Sequence, residues 1–215
     1  MIKNKFIYSP SLVLYLPLYE LDGASFQSKD AYGHLCTVTG GIWTPRGGNF
    51  NGTTDLLDCG RLTDLEGATK QWMIEFWIRV DSRDTNTRAL VAYDANNALN
   101  NIDIYMYWNG TVAKTQLGGA GAEVTTSITD LEDGQFHHIG FGKSANNVVI
   151  YEDMQLLDDT AQAGGAMSSS HKLYICDDHN VSHGQGIVGE LRIYNRLLTL
   201  IEFQRNELAT KGRYQ

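Results

Sequence analysis

The sequence predicts an all-β domain, built of two packed antiparallel sheets with one short C-terminal helix. Three observations lead there. Short apolar runs of roughly five to eight residues recur along the chain, the length of a strand rather than a helix. Between them lie turns rich in Gly, Asn and Asp; 22 Gly against 3 Pro is the punctuation that many tight reversals need. Several runs alternate with period two. Ile102, Ile104 and Met106 point one way, and Asp103, Tyr105 and Tyr107 the other.

The runs follow in order. Leu12–Leu18 comes first, then Leu35–Trp43 and Asp55–Cys59, the last two separated by Asn51-Gly52, a pair favoured in tight turns. Trp72–Val80, Ala89–Tyr93, Ile102–Trp108 and Glu123–Ile128 form the middle, with a second turn pair at Asn109-Gly110. Phe136–Phe141, Asn147–Glu152, Lys172–Cys176 and Ile187–Tyr194 complete the set. One helix closes the chain: Thr199 is an N-cap, Glu202 three residues on completes a capping box, and Ile201, Phe203 and Leu208 supply its apolar side. About eleven strands and a helix resolve into two packed antiparallel sheets.

No linker, repeat, charge block or low-complexity run divides the sequence, so residues 1–215 read as one domain with terminal extensions at 1–10 and 206–215. A chain of this length suits one sandwich, and it buries enough surface to fold without metal or disulfide. The net charge is −8 and no Lys/Arg cluster exists, which excludes nucleic acid and anionic membranes as partners. No apolar segment approaches the roughly 18 residues of a membrane span. Lys3 and Lys5 followed by Leu12–Leu18, with Tyr15 and Pro17, do not make a recognisable signal peptide. Cys36, Cys59 and Cys176 lack metal-site spacing and read as buried thiols, with one disulfide plus one thiol as the alternative.

The order of several motifs carries a resemblance. Leu12-Val13-Leu14-Tyr15-Leu16-Pro17-Leu18-Tyr19-Glu20 resembles the first strand of laminin-G-like domains of the concanavalin A-like lectin/glucanase superfamily. Lys29-Asp30-Ala31-Tyr32-Gly33-His34 is similar to that family's Asp-x-x-Gly-Asn turn, and Phe50-Asn51-Gly52-Thr53-Thr54-Asp55 to its Phe-Asp/Asn-Gly-x-x-Asp motif. Ile74-Glu75-Phe76-Trp77-Ile78 resembles the central Phe-Trp strand, and Gly134-Gln135-Phe136-His137-His138-Ile139 the Gly-x-Trp-His-His-Val signature. Gly189-Glu190-Leu191-Arg192-Ile193-Tyr194-Asn195-Arg196 is similar to the closing strand. The resemblance implies a jelly-roll sandwich with Trp77, Phe76, Ile193 and Phe136 buried between the sheets. It implies a fold more than a function.

Each candidate chemistry has a plainer reading beside it. A glycosidase needs two facing carboxylates, yet Glu75 shares its strand with no other, so no catalytic residue is assigned. His137 and His138 are adjacent on a strand and cannot chelate one ion together; the resemblance implies a packing role for the pair. Asp177, Asp178, His179 and His183 offer metal-binding groups in a Gly-rich loop, but read as solvated side chains. No cofactor is required. The resemblance implies a structural Ca²⁺ at the sandwich rim, with Asp30 and Glu190 as ligands, although Gly189 stands where the family has an Asp and removes one oxygen. For sugar binding, Tyr105 and Tyr107 with Asp103 on one strand, and Trp77 with Glu75 and Arg79 on another, form an aromatic and polar platform if their faces coincide. The alternative is that these rings pack under loops. Asn51, Asn109 and Asn180 begin glycosylation triplets, the first two already explained by turn chemistry.

Two functional readings stay open. One is a non-catalytic lectin-like surface protein of a virion, such as a bacteriophage decoration or fibre component. It would be made without an export signal, with capsid or other structural proteins, or further copies of itself, as partners. The other is an extracellular carbohydrate-binding or adhesion module recognising surface glycans. A glycoside hydrolase ranks behind both. A short basic tail, Lys211, Arg213 and the intervening Gly212, reads either as a frayed end or as a docking contact.

Overall fold

The computed structural model describes residues 9–20, 25–66, 71–80, 88–94, 104–108, 112–117, 123–129, 131–144, 147–161, 170–177 and 183–215. In chain order the strands are β1 (Leu12–Pro17), β2 (Ser25–Gln27), β3 (Leu35–Thr39), β4 (Ile42–Thr44), β5 (Gly47–Asn51) and β6 (Leu56–Asp58). Then come β7 (Trp72–Arg79), β8 (Arg88–Asp94), β9 (Ile104–Trp108), β10 (Val112–Leu117) and β11 (Glu123–Thr129). The last five are β12 (His137–Lys143), β13 (Asn147–Glu152), β14 (Gln155–Ala161), β15 (Lys172–Ile175) and β16 (Gln185–Tyr194), followed by the helix α1 (Leu200–Thr210). The described residues form the two antiparallel sheets predicted, each of eight strands, sixteen in place of about eleven.

The first sheet runs β14-β13-β12-β7-β16-β5-β4, all antiparallel. Strand β16 is long enough to serve two neighbours on one edge: its first half pairs with β5 and its second with β1. The second sheet runs β11-β10-β9-β8-β15-β6-β3-β2. Between the sheets lies one core, and β7 shows how the sequence fills it: Trp72, Ile74, Phe76 and Ile78 point inward alongside Ile139, Phe141, Leu191 and Ile193. Each such side chain contributes roughly 1.5–3 kcal/mol by leaving water.

Four strands escape the sequence pattern. Strand β14 (QLLDDTA) is a polar edge, β10 (VAKTQL) is mostly polar, β5 (GGNFN) is glycine-rich, and β2 has three residues. The single run Leu35–Trp43 is two strands in different sheets. Gly40 and Gly41 break it with φ of 66° and 79°, and a Cβ on Gly40 would sit 1.9 Å from Asp55 Oδ1, so only glycine permits that crossing.

The helix also differs from expectation. Thr199 caps it and Glu202 closes the capping box as predicted, but Ile201 and Leu208 are 67% and 56% exposed. The buried side is Phe203, Glu207 and Thr210. It lies on the face of the first sheet that points away from the core, where Met73, Tyr151, Tyr194, Leu198 and Phe203 form a second apolar cluster. The C-terminal tail is neither frayed nor an extension. A turn of 3₁₀ helix, Lys211–Arg213, delivers Tyr214 into a buried position on this same face.

Candidate functional site

Strands β7, β12 and β16 are neighbours at the centre of the first sheet, and every second residue of β7 projects toward α1. Glu75 and Trp77 are therefore buried, while Arg79 is half-buried at the end of the row. This corrects the expected open platform. Trp77 is buried, but beneath the C-terminal segment instead of between the sheets. Its indole donates to Thr210 Oγ1 at 2.9 Å, and its ring stacks on His138 (4.9 Å) and Tyr214 (4.6 Å). Phe136 is half-buried, also outside the inter-sheet core. Tyr105 and Tyr107 belong to β9 in the other sheet, so the two proposed rows share no face. Their side chains and Asp103 lie outside the described residues.

Beneath α1 sits a buried polar network. Arg192 donates to Glu75 at 2.9 Å and to Glu190. Tyr194 and Asn206 donate to Glu75 as well, each at 2.9 Å, and Tyr15 donates to Glu190 at 3.2 Å. One guanidinium thus faces two carboxylates in a site from which water is excluded, where an unpaired charge is costly. His138 lies between the rings of Trp77 and Phe203, with its nitrogens 3.8 Å from Glu75 and 3.6 Å from Glu207. The pair His137-His138 does split across the strand, as alternation requires.

Where the C-terminal turn meets β12, a cleft of about 380 Å³ opens at the edge of this network. Trp77, Phe136 and Tyr214 give it an aromatic wall; Gln135, Asp153 and Lys211 give it amide, carboxylate and ammonium groups. The ring of Phe136 lies 5.1 Å from Tyr214 and carries Arg79 at 5.6 Å over its face. Gly189 explains part of this construction. A Cβ there would approach the Tyr214 ring to 2.4 Å, so the family's Asp at that position is incompatible with the tail that forms the cleft wall. Sequence reading found Trp77 but missed the cleft, because its other walls come from a turn and a tail without periodicity.

The expected calcium ligands are already engaged. Asp30 accepts backbone N–H groups from Tyr15, Tyr32 and Gly33 at 2.8–3.2 Å, and Glu190 is buried against Arg192. Asp177 is buried and pairs with His183 at 3.1 Å, which corrects the solvated reading; Asp178 and His179 lie outside the described residues. Among the described residues, the group whose ligand atoms lie within 4.8 Å of one another is His137, Glu152 and Asp153, beside the cleft. His137 donates to Asp153 at 2.8 Å and approaches Asp133 at 3.2 Å. The hydrogen bond to Asp153 raises the imidazole to about 9, against the opposing effect of burial. Burial, together with Asp153 and Asp133, raises Glu152 to about 7 despite His137. Burial opposes ionisation of Asp153, but hydrogen bonds from His137 and the His138 N–H hold it below the usual range.

A family model described as the concanavalin A-like lectin/glucanases superfamily matches residues 51–202. No curated protein matches the sequence. Among solved structures, a Trypanosoma rangeli sialidase superposes with a TM-score of 0.75 at 14% identity, over 95% of this chain and 33% of that one. The binding domain of botulinum neurotoxin DC superposes with a TM-score of 0.68 at 12% identity in its complex with SialylT, over 93% of this chain and 52% of that one. In complex with rat synaptotagmin II the same domain gives 0.70 at 14% identity, over 92% and 52%. The chain thus spans about a third of the sialidase and half of the toxin domain.

Proposed function

From its membership of the concanavalin A-like lectin/glucanases superfamily, we propose that the chain is a non-catalytic binding module that takes carbohydrate in the Trp77–Phe136–Tyr214 cleft. One observation carries this reading: an open cleft near the small end of ligand-site volumes joins an aromatic wall to a few converging polar groups. Sugars present apolar C–H faces and hydroxyl edges, and that pairing of surfaces suits both. The neighbours add a direction for the test, since one is a sialidase bound to sialic acid and another a toxin domain bound to SialylT. The absence of catalysis is part of the proposal. It is supported by Asp153, whose two oxygens accept from His137 and from the His138 N–H, and by the burial of Glu207. Engagement of the one and burial of the other support a binding role over an acid–base one.

A glycan array including sialylated oligosaccharides, read with wild type and with Phe136→Ala and Lys211→Ala, is the test. Binding that both substitutions weaken, with an unchanged circular dichroism spectrum, supports the reading. Hydrolysis of any bound glycan would instead make the chain an enzyme.

A second reading, a virion decoration or fibre component docking on protein, is favoured by the exposed Ile201 and Leu208 on α1. It predicts that Ile201→Asp with Leu208→Asp abolishes self-association or particle binding while leaving the melting temperature unchanged.

A further inference from the structure

The three cysteines are all buried thiols in this fold, but they are not equivalent. Strands β3 and β6 pair antiparallel with Thr37 opposite Asp58 and Val38 opposite Leu57. Continuing that register by one step sets Cys36 opposite Cys59. The burial pattern agrees: Cys36 and Val38 point inward from β3, Leu57 and Cys59 from the β6 side, and all four belong to the main core. After burial, the neighbouring Cys36 thiol is the next cause that raises the Cys59 thiol.

We propose that Cys36 and Cys59 are a disulfide-forming pair, and that Cys176 remains a thiol. Directly opposed residues of an antiparallel pair have Cα atoms about 4.5 or 5.5 Å apart. Both values fall in the range of roughly 4.4–6.8 Å that disulfides occupy. The alternatives fail on distance. Strand β15 flanks β6 on the side opposite β3, so Cys36 and Cys176 are two strand spacings apart, about 9–10 Å. The β15–β6 register, with Tyr174 opposite Asp58 and Ile175 opposite Leu57, places Cys176 level with Leu56. That is three residues along from Cys59, or about 10 Å. Bridging either gap would require the backbone to move.

The bond would act on the whole sandwich. Between Cys36 and Cys59 the chain leaves the second sheet, forms the β4–β5 hairpin of the first, and returns. A disulfide here links two neighbouring strands of the second sheet and closes a loop that passes through both sheets. Strand β2, only three residues long and partly exposed, covers Cys36 from outside.

Burial pushes the Cys59 thiol up, so thiolate forms when this edge opens or before the sandwich closes. A small disulfide such as oxidised glutathione is the oxidant. The Cys59 thiolate attacks one of its sulfurs, expelling one glutathione thiolate and leaving a mixed disulfide. The Cys36 thiolate then attacks the Cys59 sulfur and expels the second. The protein loses two thiol protons and two electrons, and the small disulfide becomes two thiols.

The test is oxidative refolding of the reduced full chain from urea in a glutathione redox buffer, followed by peptide mapping without reduction. The expected product carries a Cys36–Cys59 link and an alkylatable Cys176. Its melting temperature should exceed that of the reduced protein by about 5–10 °C and return on adding dithiothreitol. Cys176→Ser should keep the link and the shift, whereas Cys36→Ala and Cys59→Ala, made separately, should each lose both. Three alkylatable thiols in the refolded protein, or a link that includes Cys176, would overturn the assignment.

Discussion

Glu75 sits where four polar groups converge. Its Oε1 accepts from Arg192, Tyr194 and Asn206, and the far side of its carboxylate faces His138. Removing one partner of such a buried pair leaves the other charge uncompensated, at a cost of about 3–5 kcal/mol. Glu75→Ala should therefore lower the urea midpoint with no change of slope. A second residue-scale prediction concerns His137. Its proton affinity is raised in the fold to about 9 from 6.5, so its stabilisation is complete below about pH 6.5 and disappears as pH rises through 9. Glu152, raised to about 7 from 4.5, acts in the same direction, costing stability as pH rises from 4.5 through 7. Asp153, held low, contributes above its unfolded value and matters only on acidification. In buffer containing EDTA, the melting temperature should fall between pH 6.5 and 9, and His137→Gln should flatten that fall. A slope that His137→Gln leaves unchanged would place the titration elsewhere. If zinc occupies His137, Glu152 and Asp153, micromolar Zn²⁺ should raise the melting temperature of wild type and not of His137→Gln.

At the scale of elements, α1 and the turn after it are where sequence and structure part most instructively. The N-cap was legible because Thr199 and Glu202 form a local motif that needs no tertiary partner. The buried side was not. Apolar Ile201, Phe203 and Leu208 suggested one face, but the sheet face that α1 covers sets a polar network of Glu75, Arg192 and Tyr194 beside its apolar cluster, and it keeps Phe203 and takes Asn206, Glu207 and Thr210 in place of the other two. Alternation on β7 placed Glu75, Trp77 and Arg79 on one face; it could not say what lies over that face. The closing strand β16 and the central β7 were legible because both their faces are apolar or bear a known motif, whereas β14 and β10 present few apolar residues to detect. Deleting residues 211–215 tests this arrangement. Tyr214 is buried on Trp77, and loss of that contact should cost at least about 2 kcal/mol, lowering the melting temperature by about 4–8 °C. Ile201→Ser, by contrast, should change stability by no more than about 0.5 kcal/mol.

At the scale of the whole molecule, the proposed glycan cleft and the exposed apolar residues of α1 lie on different sides of one short helix. Glu207 faces the cleft and Lys211 follows just past its end, whereas Ile201 and Leu208 face solvent. A cleft of about 380 Å³ accommodates little more than one or two sugar rings, and a single such contact is expected to be weak, with Kd of about 1 mM, or about −4 kcal/mol. Useful adhesion then depends on several copies engaging one surface, where avidity exceeds single-site affinity by about 10²–10⁴. The two proposed roles thereby make a joint prediction. The Ile201→Asp, Leu208→Asp double variant should bind soluble oligosaccharide as wild type does by NMR titration, yet lose retention on a dense glycan surface. Phe136→Ala should lose both. If the double variant keeps full retention, α1 contributes nothing to assembly. If Phe136→Ala binds soluble glycan normally, the cleft is not the sugar site, and the module's ligand lies elsewhere on the sandwich.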